Sequence, residues 1–242
     1  MNSDYYLDLV TMDVINYQGL KIYPISFKEI KEKLGYETLS KCFIPFCISK
    51  DYIESANNCN LDDTFNVFED IILKDDELIK NVAIVLNLFC KPEHIYVNDK
   101  CITLYSDENQ SCFILNKDNF DGLSEILLKL NGKSKLKFEK PPKNMSARQR
   151  DVWEKLQAGR KREEKKNEIH FHDILNVCEF AGQYRIPIEE IISWTIWKIM
   201  NCYSAKIGLK SYDDNLAIGL AAQDLKAIQG NNHWLKQLMI RD

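Results

Sequence analysis

Two histidines and an aspartate in the sequence HFHD have the residue types that bind metal ions. Imidazole nitrogens and carboxylate oxygens are common ligands of transition metals, and here they belong to His170, His172 and Asp173. Residues two apart in a helix point to different sides, however, and no third ligand stands at a recognisable spacing. An anion in the first turn of a helix is favourable in itself, which accounts for Asp173. We therefore expect neither a metal site nor a cofactor.

The other residues with catalytic side chains lack the partners that catalysis requires. His233 stands beside Trp234, but no nucleophile motif accompanies it, so packing or an interface contact is the better explanation. Asp213 and Asp214 carry carboxylates suited to acid–base work, yet the sequence SYDDN immediately precedes a predicted helix, where such residues act as caps. We expect that the protein is not an enzyme.

Eight cysteines raise the question of disulfides or a zinc cluster. Most of them lie within apolar patterns, and none shows the close paired spacing of a zinc site. We expect reduced thiols that pack as small apolar side chains in the core. The cysteines are Cys42, Cys47, Cys59, Cys90, Cys101, Cys112, Cys178 and Cys202.

The composition is that of an ordinary globular protein. Of the 242 residues, 45% are hydrophobic and 28% are charged, which suits one large domain or two modest ones. No apolar run approaches the roughly 18 residues that cross a bilayer, and the first residues lack the basic and apolar regions of a signal peptide. We expect a cytoplasmic protein that makes no contact with a membrane.

Charge is distributed unevenly along the chain. The net charge of −4 combines about 10 negative charges over residues 1–132, about 8 positive charges over residues 133–166 and about 2 negative charges after them. Clustered Arg and Lys neutralise phosphates, and Trp153 offers a ring on which a base can stack. Interleaved acids such as Asp151 and Glu154 instead favour an exposed helix with ion pairs, so nucleic-acid binding is disfavoured. Its candidate residues are Arg148, Arg150, Arg160, Lys161 and Arg162.

Hydrophobic periodicity predicts an α+β region with a small antiparallel sheet in the first 132 residues. Ser26 and Glu29 have the spacing of a capping box and mark the start of a helix. Runs that alternate in hydrophobicity predict strands, and runs with apolar residues three and four apart predict helices. The predicted strands are residues 5–10, 20–25, 94–97, 100–105 and 111–115. The predicted helices are residues 26–35, 61–73, 75–90 and 120–130.

The remainder is predicted to be an all-α module. Pro141 and Pro142 interrupt any regular structure within a charged segment, and we place a domain boundary there. A central helix over residues 187–203 begins at Pro187 and is apolar on almost every side, so two of its surfaces need partners. A further helix is predicted from residue 212. The predicted units are an α+β domain at 1–132, a charged linker or helix at 133–167 and a helical module at 168–242.

Four sequences follow one another along the chain: NKDNFDGLSEILLKLN, RQRDVWEKLQAGRKREE, RIPIEEIISWTIWKI and NNHWLKQL. Their order resembles the bacteriophage tail proteins encoded just before the tape-measure protein, which are called tail assembly chaperones. It implies a non-enzymatic protein that binds the long, helical, apolar tape-measure protein. Such a chaperone keeps its partner soluble until tail-tube subunits polymerise around it.

A chaperone for apolar helices needs a patch of aromatic and aliphatic side chains. For each residue of the expected patch, the alternative is that it closes the core of its own module. The expected partner-binding residues are Trp194, Trp197, Met200, Tyr203 and Trp234. The tail-tube protein and a second copy of the chain are further candidate partners. Two other functions stay open, a structural component of the virion, tail or baseplate, and a phage nucleic-acid-binding regulator.

Overall fold

The structure is a computed structural model that describes residues 3–57, 59–106, 111–136, 145–166, 169–182 and 184–221. Its helices are α1 (Ser3–Thr11), α2 (Phe27–Lys33), α3 (Tyr36–Cys42), α4 (Ile44–Cys47), α5 (Lys50–Asn57), α6 (Val67–Asp70), α7 (Asp76–Cys90), α8 (Phe120–Leu130), α9 (Ala147–Lys166), α10 (Phe171–Phe180), α11 (Ile188–Ile191) and α12 (Ile196–Ala221). Its strands are β1 (Ile15–Tyr17), β2 (Leu20–Ile22), β3 (His94–Val97), β4 (Ile102–Ser106) and β5 (Ser111–Leu115). These elements confirm the predicted fold class, an α+β N-terminal region followed by a helical one.

The N-terminal hairpin begins later than predicted. Strands β1 and β2 pair through Ile15 and Ile22, and Gly19 provides the turn with a φ of 89°, which a residue without Cβ adopts easily. The predicted strand over residues 5–10 is wrong, because those residues belong to α1, in which Leu9 is buried. The hairpin prediction is therefore correct for its second strand only.

Side-chain caps fix the starts of two helices in the α+β region. The Ser26 hydroxyl accepts a hydrogen bond from the backbone N–H of Glu29 at 3.2 Å, which confirms the predicted start of α2. Helix α7 begins after Asp75, whose carboxylate accepts two backbone N–H groups of the first turn. The predicted helix over residues 61–73 is wrong, because only α6 and one short 3₁₀ turn form there.

The predicted three-stranded meander is confirmed, with strand order β3-β4-β5 and antiparallel pairing throughout. One row of cross-strand neighbours, Ile95, Leu104 and Phe113, packs against the hydrophobic core. The opposite face carries Tyr96 and Ile114, which are exposed. This alternation is what a sheet with one covered face requires.

The predicted central helix over residues 187–203 is interrupted. Four residues separate the end of α11 from the start of α12, because the backbone between them pairs with the N-terminal part of the chain. The carbonyl oxygens of Trp194 and Ile192 accept hydrogen bonds from the backbone N–H groups of Phe27 and Lys28, both at 2.8 Å. At the break in the helix, these two carbonyl oxygens therefore accept hydrogen bonds from residues that are distant in sequence.

Helix α12 continues without a break to Ala221. The prediction of a separate helix from residue 212 is therefore wrong, and so is the prediction that Asp213 and Asp214 cap it. Both aspartates lie inside α12, where the Asp214 carboxylate is 3.4 Å from the Lys210 ammonium one turn earlier. Their positions are explained by a solvated helix surface with an ion pair.

Residues from both ends of the chain share one hydrophobic core. The ring of Phe171 in α10 lies 4.8 Å from the ring of Phe27 and stacks on that of Tyr36 at 4.4 Å, centroid to centroid. The core itself extends from Leu9 in α1 to Ile199 in α12. The division into separate units stays a prediction. These contacts argue against it, because removing either end of the chain would expose core side chains of the other end to solvent.

Candidate partner-binding site

The expected partner-binding residues of α12 lie mostly against the protein's own core. Trp197 is 1% exposed and ranks among the largest fully buried side chains. Met200 and Tyr203 are half-buried and pack on the core. A partner cannot reach a side chain as buried as Trp197, so this residue does not contribute to an accessible surface in this conformation. Trp234 lies outside the described residues.

Trp194 is more accessible than Trp197. It is half-buried, and the Lys198 ammonium lies 5.1 Å from the centroid of its ring, within range of a cation–π interaction. Its backbone carbonyl, as described above, is bonded to Phe27. The backbone of Trp194 is therefore fixed, while part of its ring remains available for a contact.

A shallow cleft of about 400 Å³ lies where the end of α8 meets α12. Trp197 contributes to its lining, and around it are the lysines of the segment after α8. Two of these lysines are engaged within the chain, since Lys133 donates to the Ser40 hydroxyl at 3.3 Å and Lys135 pairs with Asp121. Because these cations already have partners, the cleft is better explained by packing than by binding of an anion.

Helix α9 exposes apolar side chains that follow a helical pattern. Val152 is 50% exposed and Leu156 is 60% exposed, and Trp153 beside them is half-buried. An open cleft of about 350 Å³ runs along these residues. We call its lining the α9 stripe, which consists of Met145, Arg148, Gln149, Val152, Trp153 and Leu156. Among the residues that the structure describes, no α9 side chain belongs to the hydrophobic core.

The α9 stripe has the geometry of a helix-binding surface. Val152 and Leu156 are four positions apart, as are Gln149 and Trp153, so the stripe lies on one side of the helix. A row of this kind on a second helix could interdigitate with it, as in coiled coils. Sequence reasoning named Trp153 only as a ring on which a base can stack, and it assigned no protein partner to the apolar residues of this helix. Their exposure is what distinguishes them as a candidate site.

The candidate phosphate-binding residues also lie on α9, but not on one face. Arg148, Arg150, Arg160 and Arg162 are exposed, and the side chain of Lys161 lies outside the described residues. Because successive helical residues are about 100° apart, these four guanidinium groups point in widely different directions around the axis. A nucleic-acid surface gathers its cations on one side. The arrangement therefore favours a solvated helix, as the ion pair between Lys155 and Asp151 at 2.9 Å also indicates.

The histidine-rich sequence before α10 acts as a helix start. The backbone N–H of His170 donates to the Asp173 carboxylate at 3.1 Å, which confirms the expected place of Asp173 in the first turn. His172 lies 3.3 Å from the same carboxylate. Within the described ranges, no group of three His, Cys, Asp or Glu side chains converges as metal ligands do.

The thiols occupy three kinds of environment. Cys42, Cys90 and Cys178 are buried as expected, and burial raises the pKa of the Cys90 thiol to about 12. Cys59 and Cys112 are exposed, so the expectation of core packing is wrong for these two. The other three are half-buried. Sequence reasoning did not detect that Cys178 and Cys202 meet, because the contact arises only when α10 packs against α12.

No protein-family model matches the chain, and neither does any curated protein or solved structure.

Within the described ranges, none of the helices combines the length and the apolar character that a membrane span requires.

Proposed function

We propose that this protein is a bacteriophage tail assembly chaperone that binds the tape-measure protein in the host cytoplasm and keeps it soluble during tail morphogenesis. The observation that carries the proposal is the α9 stripe, an apolar row exposed on a helix whose other faces are charged. The sequence order that resembles tail assembly chaperones also supports it, and α9 holds one of the four sequences on which that resemblance rests.

The α9 stripe suits a partner that presents many similar apolar helix faces. Val152, Trp153 and Leu156 offer aliphatic and aromatic surface without a deep pocket, so they accept a helix without strict reading of its sequence. Arg148 and Gln149 at the edge of the stripe supply polar contacts around the apolar centre. A short stripe gives a modest affinity for each site. Modest affinity is useful to a chaperone, because its partner must be released when tail-tube subunits assemble.

Co-expression with a fragment of the tape-measure protein tests the proposal. The fragment should be one that is insoluble alone, and the measurement is its soluble yield and its co-purification with the chain. A variant with both Val152→Ser and Leu156→Ser should lose most of the co-purified fragment, since residues at the centre of an interface can each contribute about 1 kcal/mol or more, about fivefold or more in affinity. Its melting temperature should stay close to that of the wild type, because both side chains are exposed.

Ala158→Ser is the matched control, since Ala158 is exposed on the side of α9 away from the stripe. This variant should retain the fragment as the wild type does. Equal retention by the control and the double variant would refute the role of the α9 stripe, and no retention by the wild type would refute the chaperone function. Recovery of the protein in purified particles would instead support a structural component of the virion, and salt-sensitive retention on DNA would support a nucleic-acid-binding regulator.

A further inference from the structure

Two thiols meet where α10 packs against α12. Cys178 is 0% exposed, and its Sγ lies 3.5 Å from the backbone carbonyl oxygen of Ile199. Cys202 lies one turn further along α12 and is half-buried. Ile199 and Lys206, which both contact Cys178, stand three positions before and four positions after Cys202, so Cys202 lies on the side of α12 that faces Cys178. The pair therefore combines one sulfur that solvent cannot reach with one that is partly accessible.

A lysine adjoins the two sulfurs. The Lys206 ammonium donates a hydrogen bond to the backbone carbonyl of Cys178 at 2.6 Å. Because Lys206 follows Cys202 by four positions, both side chains lie on the side of α12 that faces α10. A cation held in this place stabilises negative charge on a neighbouring sulfur.

The electrostatics give the two thiols different roles. A hydrogen bond from the Cys178 thiol lowers the pKa of Cys202, partial burial opposes that shift, and the Lys206 charge adds to it. For Cys178 the hydrogen bond with Cys202 raises the pKa, and burial raises it further. The thiolate is the nucleophilic form of cysteine. Cys202 is thus the sulfur prepared to attack, while Cys178 remains protonated beside it.

We propose that Cys202 and Cys178 are a peroxide-sensitive pair that forms a disulfide between α12 and α10. The Cys202 thiolate attacks one oxygen of hydrogen peroxide, the O–O bond breaks, and hydroxide leaves to be protonated to water. The product is a sulfenic acid on Cys202. The Cys178 sulfur then attacks the Cys202 sulfur, so that the S–S bond forms and a second water leaves with the Cys178 proton. Overall, two thiols are oxidised to one disulfide, and one hydrogen peroxide is reduced to two water molecules.

The surroundings of Cys202 differ from those of the more accessible thiols of the chain. Cys59 and Cys112 are exposed, so access alone would make them react first. Within the part of the chain that the structure describes, only Cys202 combines partial access, a neighbouring cation and a second thiol in position to resolve the sulfenic acid. The disulfide would tie α10 to α12 through their buried contact, and a dithiol reductant would restore the original state.

The test uses the full chain treated with a small excess of hydrogen peroxide at pH 7, followed by blocking of free thiols, proteolysis and mass spectrometry. The expected product is a peptide pair joined through Cys178 and Cys202 and lighter by two hydrogen atoms, which a reductant separates. In Cys178→Ser the sulfenic acid on Cys202 should persist and be captured by a cyclic 1,3-dione. Lys206→Gln retains a hydrogen-bond donor without the charge, and it should slow oxidation of Cys202 roughly threefold or more because the thiolate fraction falls.

The wild-type experiment decides the proposal by itself, so it does not depend on the folding of any variant. Oxidation confined to Cys59 and Cys112, with Cys178 and Cys202 still reactive toward the blocking reagent, would overturn it. So would a disulfide that joins Cys202 to any sulfur other than that of Cys178. An unchanged rate in Lys206→Gln would overturn the assigned role of the lysine.

Discussion

Replacing Trp197 with alanine should destabilise the protein strongly. The side chain is almost completely buried in the shared core, and removing a buried tryptophan costs about 3–5 kcal/mol through lost packing and the cavity that remains. For a chain of this length, each kcal/mol lowers the melting temperature by about 2–4 °C. The expected decrease is therefore roughly 6–20 °C.

A second substitution separates packing from hydrogen bonding at the same position. Among the described residues, none pairs with the indole Nε1 of Trp197. A buried polar group without a partner costs about 1–3 kcal/mol, and Trp197→Phe removes that group while it keeps most of the ring. The phenylalanine variant should consequently lose much less stability than the alanine variant, since relief of the unpaired N–H offsets part of the lost packing.

The assay is thermal and urea unfolding followed by far-UV circular dichroism for both variants and for Tyr184→Ala. Tyr184 is 82% exposed, so its substitution should change the free energy of unfolding by no more than about 0.5 kcal/mol. An unchanged melting temperature for Trp197→Ala would refute the burial of this residue. Trp197 would then again be a candidate partner-binding residue.

Two further outcomes are expected. Trypsin should cut first between Lys133 and Lys166. The two fragments should still co-elute on size-exclusion chromatography, because Phe171 in one stacks on Tyr36 in the other. Separate elution of the fragments would support independent domains. Asp70→Asn should reduce stability at pH 7, because the Asn66 backbone N–H and the Lys74 ammonium lower the pKa of Asp70. This contribution is present above the unfolded-state pKa and is lost as pH falls through the folded-state pKa, so urea unfolding at acid pH should show no difference.

The elements that were predicted correctly are those in which the local pattern and the final packing agree. Helix α7 has a cap at Asp75 and apolar residues at helical spacing, and the meander has alternating residues on either side of Leu104. In both, the buried face can be identified from a short window of sequence. The same is true of α8 and of the start of α2, because their signals are local.

The errors arose where distant contacts override local preference. Residues 5–10 contain residue types common in strands, yet α1 forms because Leu9 is buried in the core. The break before α12 depends on hydrogen bonds from Phe27 and Lys28, which no local pattern contains. The α9 stripe was only partly predictable for a related reason, since exposure of Leu156 is a property of the whole fold.

The backbone pairing of Phe27 with Trp194, together with the ring contact between Phe27 and Phe171, joins parts of the chain that are far apart in sequence. About 144 positions of sequence separate Phe27 from Phe171. At a translation rate of about 5–20 residues per second, the ribosome needs roughly 7–30 s to cross that interval. During this time the start of α2 has been synthesised but the residues that cover it have not. The nascent chain therefore carries an uncovered aromatic surface at Phe27 and Tyr36, and the last folding step must wait for α10 and α12.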